Sequence, residues 1–135
     1  MDLVDGSSIL KSDRSPVTIA DFGSQAIICK MLKEKFPHDT IVAEEDSEEL
    51  RKSDRSRILE KVVHYVNGVI PSSSPEDVCS WIDDSSHALT DRFWTLDPID
   101  GTKGFLRGDQ YAIALALVAH GLVQLGIMGC PNLYV

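Results

Sequence analysis

Asp97-Pro98-Ile99-Asp100-Gly101-Thr102-Lys103-Gly104-Phe105-Leu106-Arg107-Gly108 follows directly on the apolar run Phe93-Trp94-Thr95-Leu96. That order reads as a strand, a rigid acidic turn and an anion-receiving backbone. Two carboxylates stand three residues apart around a proline, which fixes φ and removes a backbone donor. The carbonyl of Ile99 can then face the same point as the carboxylates. Gly101-Thr102 is expected to open a short helical turn whose N–H groups suit a phosphate. The chemistry is that of holding a hard metal ion against a phosphate.

Upstream, the pattern predicts alternating helices and strands. Ile19, Phe22, Ala26, Ile27, Met31 and Leu32 keep close to a 3.6 period, which predicts a helix over Thr18–Phe36. Pro37 ends it, because the residue before a proline is pushed out of the helical region. Thr40-Ile41-Val42-Ala43 reads as a short buried strand running into Glu44-Glu45-Asp46. A second helix carries Ile58, Val62, Val66 and Val69 on one stripe, and Pro75–Trp81 reads as one or two helical turns. Residues 1–14 and Ser85–Asp91 are expected to be loop. Tyr111–Val118 and Leu122–Met128 flank His120-Gly121, the signature of a hairpin. A hairpin ending in Leu133-Tyr134-Val135 expects more sheet or a covering helix beyond it.

Three acidic spots fall at the ends of these elements: Asp21 in the first helical turn, Glu44 after one strand, Asp97 and Asp100 after another. Neighbouring strands would bring them to one sheet edge, where open α/β sheets bind ligands. At ~4 Å each carboxylate pair repels by about 4 kcal/mol at an effective dielectric near 20. Either the pKa values rise or a cation fills the gap. Oxygen ligands without His or Cys select Mg²⁺, Mn²⁺ or Ca²⁺ over zinc. Thr102 would orient a metal-bound water as nucleophile, with Asp21 accepting its proton. Each residue also has a plainer reading: Thr18 and Asp21 are spaced as a capping box. Glu44 and Glu45 suit a solvated strand end, Asp97-Pro98 a turn opener, and Lys103 and Arg107 a charged surface. His38, His64, His87 and His120 have no partner at useful spacing. Rival motifs fail: there is no GxxxxGK[ST], no EF-hand spacing and no GxSxG.

The bulk composition sets limits. The chain has 135 residues, 43% hydrophobic and 25% charged, which suits one soluble domain. A net charge of −8 argues against nonspecific binding to nucleic acid or an anionic membrane, and demands a mediating cation for any phosphate. The longest apolar run, Tyr111–Ala119, is too short for a bilayer, and Met1-Asp2-Leu3-Val4-Asp5 lacks the apolar core of a secretory signal. Cys29, Cys79 and Cys130 are an odd count without CxxC, read as reduced thiols. A soluble intracellular setting is expected, the cytoplasm or, for a longer form, a plastid or mitochondrion.

Together these segments resemble the lithium-sensitive, magnesium-dependent phosphomonoesterases of the inositol monophosphatase family. The resemblance rests on Asp21 in Ser15-Pro16-Val17-Thr18-Ile19-Ala20-Asp21, Glu44 in Val42-Ala43-Glu44-Glu45-Asp46-Ser47, and Asp97-Pro98-Ile99-Asp100-Gly101-Thr102. Lys103–Gly108 and Gly129-Cys130-Pro131-Asn132-Leu133 look like the 3'(2'),5'-bisphosphate nucleotidase branch, the plant enzymes above all. The resemblance implies that Glu44, Asp97, the Ile99 carbonyl and Asp100 are metal ligands. It further implies that Asp21 and Thr102 activate water, and that the Gly101 and Thr102 amides lie near the phosphate. The cofactor implied is Mg²⁺, two or three ions in the complete family site. The substrate implied is a small nucleotide bisphosphate, adenosine 3',5'-bisphosphate, hydrolysed to AMP and phosphate, with 3'-phosphoadenylyl sulfate a second.

The same comparison implies an α/β (α+β layered) sugar-phosphatase fold of which residues 1–135 form the N-terminal portion. Family members begin with a long helix before the segment matching Lys11–Asp21, which only ten residues precede here, and carry a C-terminal half with a Trp-Asp-x-Ala motif that is not found here. Two alternatives stay open at this point. One is an inactive fragment that binds an ion or pairs with another chain through its sheet, whereas the full-length family is expected to be monomeric. The other is a phosphatase acting on the 1-phosphate of inositol polyphosphates.

Overall fold

The computed structural model describes residues 8–10, 16–85 and 88–133. The expectations for residues 1–7 and 11–14, for His87 and for the terminal Tyr134-Val135 fall outside them. The described chain is a mixed α/β arrangement: a four-stranded sheet, a central helix on the sheet, and two further helices on that helix.

Residues Ser8–Leu10 (β1) pair antiparallel with Pro16–Thr18 (β2), Ile9 opposite Val17. This corrects the expectation of loop over that stretch; three residues are too few to show a period. The central helix α1 spans Ile19–Lys35, and its N-cap Thr18 and C-cap Phe36 match the expected boundaries. Met31, assigned to its apolar stripe, is 55% exposed. The stripe is not what buries this helix, for α1 is covered on two sides. Ile19, Phe22 and Ala26 pack with Val62, Val66, Val78 and Ile82, while Cys29 and Leu32 pack with Ile41, Trp94 and Leu96.

Thr40–Ala43 forms β3 as expected. Ser56–Asn67 forms α2, and Pro75–Asp83 forms α3, two residues longer than the sequence suggested. Val62 and Val66 are buried, but Val69 lies past the end of α2 and is 61% exposed, so the stripe stops a turn early. A capping box at Ser74 and proline in the first turn start α3.

Residues Arg92–Asp100 form β4, Thr102–Leu106 a short helix α4, Ala112–Ala119 β5 and Leu122–Gly129 β6. The sheet order is β3-β4-β5-β6; β3 and β4 run parallel and the other pairs antiparallel. His120-Gly121 is the two-residue turn of the β5–β6 hairpin, as expected. Every residue of β6 is exposed, including Leu122, Val123 and Met128. Cys29 and Cys79 are buried free thiols, and burial pushes Cys29 up to about 12, where it is inert at neutral pH.

Candidate active site

The register of β3 and β4 builds the acidic edge. Val42 pairs with Thr95 and Ala43 with Leu96, so the next residues along the two parallel strands are Glu44 and Asp97. The two carboxylates therefore lie at matching positions just past the paired residues of the parallel strands, on the carboxyl side where such sheets receive ligands. β4 does not stop there. It continues through Asp97-Pro98-Ile99-Asp100, with a register shift: Asp97 faces Ala114 and Asp100 faces Ala112. Three steps on β4 thus oppose two on β5, which is a β-bulge. This corrects the expected turn. A proline fits inside a strand at a bulge, where its missing N–H breaks no ladder bond.

Asp97 is half-buried and its Oδ1 accepts from the Ile99 N–H at 3.2 Å. Burial is the main reason its carboxyl is pushed up to about 6; Glu44, Asp100 and Asp21 raise it further, and the Ile99 bond opposes them. The expected group therefore shares one field, with Asp97 at its centre. Glu44 and Asp100 are exposed on the rim, and Glu45, expected at a solvated end, is 4% exposed.

Asp21 shows that its two readings are compatible. Its Oδ2 accepts from the Thr18 N–H at 2.7 Å and the Thr18 hydroxyl at 2.5 Å, closing the capping box. Its Oδ1 lies 3.4 Å from the Thr102 hydroxyl. One oxygen starts the helix and the other faces Thr102. Burial raises the Asp21 pKa, the Thr18 bonds oppose that, and Glu44 adds to it.

The Thr102 hydroxyl also stands 3.1 Å from the Ile99 carbonyl. Having one proton, it donates to Asp21 or to Ile99 at a given moment. The carbonyl keeps a second lone pair in either case. The side chain of Ile99 is buried with Ala20 and Phe105, fixing the peptide whose carbonyl faces Thr102. Gly101 precedes α4 at φ 88°, a left-handed conformation that side-chain-bearing residues rarely adopt. The expected helical turn is there, and the Phe105 N–H donates to the Gly101 carbonyl at 3.0 Å. Beyond it, Gly104 passes so close to the Gln110 carbonyl that an added Cβ would sit 2.6 Å from that oxygen. Lys103 and Arg107 are exposed, and Arg107 pairs with Asp109.

Sequence reasoning missed Gln25. It is fully buried, and its side-chain amide bonds both backbone groups of Glu45 and the Ile82 carbonyl. The available signal was a polar residue one turn beyond Asp21, set among Phe22, Ala26 and Cys29.

The donor set of Glu44, Asp97, Asp100 and the Ile99 carbonyl is all oxygen, which fits a hard cation. Among the described residues, no three His, Cys, Asp or Glu side chains are gathered closely enough to form a ready-made ion cluster. The fit therefore lies in donor chemistry and strand register.

The chain belongs to the inositol monophosphatase family, whose model matches residues 3–135. It is 52% identical to a 3'(2'),5'-bisphosphate nucleotidase of Oryza sativa over 91% of its length, and 49% identical to one of Schizosaccharomyces pombe over 93%. In each case the chain spans 38% of the relative's length. A solved structure of an inositol monophosphatase family member from Bacteroides thetaiotaomicron matches at TM-score 0.31 and 19% identity, over 84% of this chain and 41% of that one. Among the described residues, no helix is long and apolar enough to cross a membrane.

Proposed function

We propose that these residues form the ion-holding wall of a Mg²⁺-dependent phosphatase that removes the 3'-phosphate of adenosine 3',5'-bisphosphate. The observation that carries this reading is the parallel register that sets Glu44 and Asp97 at matching positions just past the β3–β4 pairing, with Asp21 and Thr102 in contact beside them. The names of the relatives supply the substrate class. Glu44, Asp97, the Ile99 carbonyl and Asp100 would hold Mg²⁺. Bound there, Mg²⁺ supplies a water of lowered pKa and neutralises charge on the phosphate.

The chain's own residues do the rest. Thr102 orients the attacking water through its hydroxyl, which the Ile99 carbonyl and Asp21 hold in place. Asp21 Oδ1 receives the proton, and its raised pKa makes it the stronger base. The Gly101 and Thr102 amides meet the phosphate oxygens, and 3'-phosphoadenylyl sulfate presents the same 3'-phosphate. A second reading is favoured by the fully exposed β6 and the 38% span of the relatives: that these residues act only when β6 is paired with further protein.

The test is phosphate release from adenosine 3',5'-bisphosphate with Mg²⁺, with and without lithium. Release above that of an Asp97→Asn/Asp100→Asn double variant, suppressed by lithium, is the expected result. Release equal to the double variant overturns activity for this chain and leaves the pairing reading, which sedimentation velocity then addresses. Faster release from inositol 1,4-bisphosphate would move the substrate to inositol phosphates.

A further inference from the structure

We propose that Gln25 is a positioning residue for the acidic edge, holding Glu44 in place by gripping the peptide of Glu45. The inference rests on reading Glu44 as an ion ligand. Gln25 Oε1 accepts from the Glu45 N–H at 2.9 Å, and its Nε2 donates to the Glu45 carbonyl at 2.6 Å and the Ile82 carbonyl at 3.1 Å. One side-chain amide thus pairs with both backbone groups of a single residue, as a neighbouring strand would. It does so where the β3 ladder has ended at Ala43.

Burial explains why an amide is needed. Glu45 is buried, so its N–H and carbonyl need partners inside the protein. An apolar side chain at position 25 would fill the space but take both of these bonds away. Glu44 is then fastened on both sides. Before it stands the β3 ladder; after it come the Gln25 grip and a second clamp three residues on. There the Ser47 N–H and hydroxyl donate to the two Asp83 carboxylate oxygens at 2.8 and 2.6 Å. Gln25 also lies four residues beyond Asp21 on α1, so one helical turn sets the spacing between the Asp21 side of the site and the Glu44 side.

The test is Mn²⁺ binding to the 135-residue chain, read by electron paramagnetic resonance without substrate, together with amide hydrogen exchange at Glu45 without metal. Gln25→Met is expected to weaken Mn²⁺ binding about tenfold or more, the usual consequence of losing a residue that orients a ligand. It should also speed exchange at the Glu45 amide. Val66→Ala, a change inside the core cluster of Ile19, Phe22, Val62 and Val78, serves as the stability-matched control and should leave binding within about twofold. Gln25→Asn keeps an amide in the core but falls short of Glu45. It is expected to give an intermediate loss, and decides the matter if the methionine variant does not fold.

In the Glu44→Gln background, Gln25→Met should add little, because the two act through one carboxylate. Multiplying losses, or equal weakening by Val66→Ala, would reduce Gln25 to a structural residue and overturn the proposal. If Glu44→Gln leaves Mn²⁺ binding intact, the ligand reading of Glu44 fails and the proposal with it. If Glu44→Gln weakens binding while Gln25→Met does not, only the positioning role fails.

Discussion

The crowding around Asp97 predicts a stability change with a definite sign and pH window. Its carboxyl is pushed from the ordinary 3.8 to about 6, by burial first and then by Glu44, Asp100 and Asp21. The folded state therefore binds a proton more tightly than the unfolded state does. Lowering the pH through 6 toward 4 favours the fold; raising it through the same window disfavours it, and the penalty is constant above. At about 1.36 kcal/mol per pKa unit the full shift would be worth about 3 kcal/mol. Asp97 is only half-buried, and solvent screening reduces this to about 1–2 kcal/mol. Asp97→Asn mimics the protonated form and keeps an acceptor for the Ile99 N–H. Without metal, it should be more stable than the parent chain by about 1–2 kcal/mol at pH 7.5, and by almost nothing at pH 4. Urea titrations followed by tryptophan fluorescence at both pH values read this as a midpoint shift of about 0.5–1 M at the higher pH alone. Adding Mg²⁺ should raise the midpoint of the parent chain and leave the variant behind. An equal variant-minus-parent difference at both pH values would refute the electrostatic account, because a packing effect does not titrate.

Other consequences are simpler to read. Gly104→Ala drives a Cβ to 2.6 Å from the Gln110 carbonyl and should destabilise the chain by about 1–3 kcal/mol, seen as a lower melting temperature by circular dichroism. Thr18→Val removes the hydroxyl that caps α1 and should cost about 1 kcal/mol in urea unfolding, whereas Thr18→Ser should recover most of it. Asp83→Ala takes both acceptors from Ser47 and should cost about 1–3 kcal/mol and loosen the segment after Glu44, measured by proteolysis between residues 46 and 55. Leu125→Lys with Ile127→Lys puts charge on exposed β6 and should reduce concentration-dependent light scattering without lowering the melting temperature.

The candidate site residues are legible in the sequence because their chemistry is local. Carboxylates around a proline, followed by Gly-Thr, have few other uses, and strand ends are easily marked by apolar runs such as Thr40–Ala43. What the pattern concealed has physical causes. The bulge in β4 was read as a turn because proline and aspartate favour turns, and only pairing with Ala114 and Ala112 shows the strand continuing. The 3.6 period marks α1 as a helix but does not show that its two apolar surfaces face different layers, a distinction that periodicity alone does not make. Gln25 was passed over because its partners are backbone groups 20 and 57 residues away. A backbone partner leaves no trace in the identity of the residue that provides it.

The division of labour between the two oxygens of Asp21 bears on how variants of this chain should be interpreted. An Asp21→Ala variant removes an acceptor from Thr102 and, in the same stroke, two bonds that begin the longest helix. Lost activity in such a variant would confound chemistry with folding. Asp21→Asn separates them no better, because placing its oxygen toward Thr18 turns its amine toward the Thr102 hydroxyl, and the reverse placement undoes the cap. The informative comparison comes from the other partner: Thr102→Val against Thr18→Val takes away one duty of the carboxylate at a time. The chemistry of this edge is best dissected by leaving the Asp21 carboxylate alone.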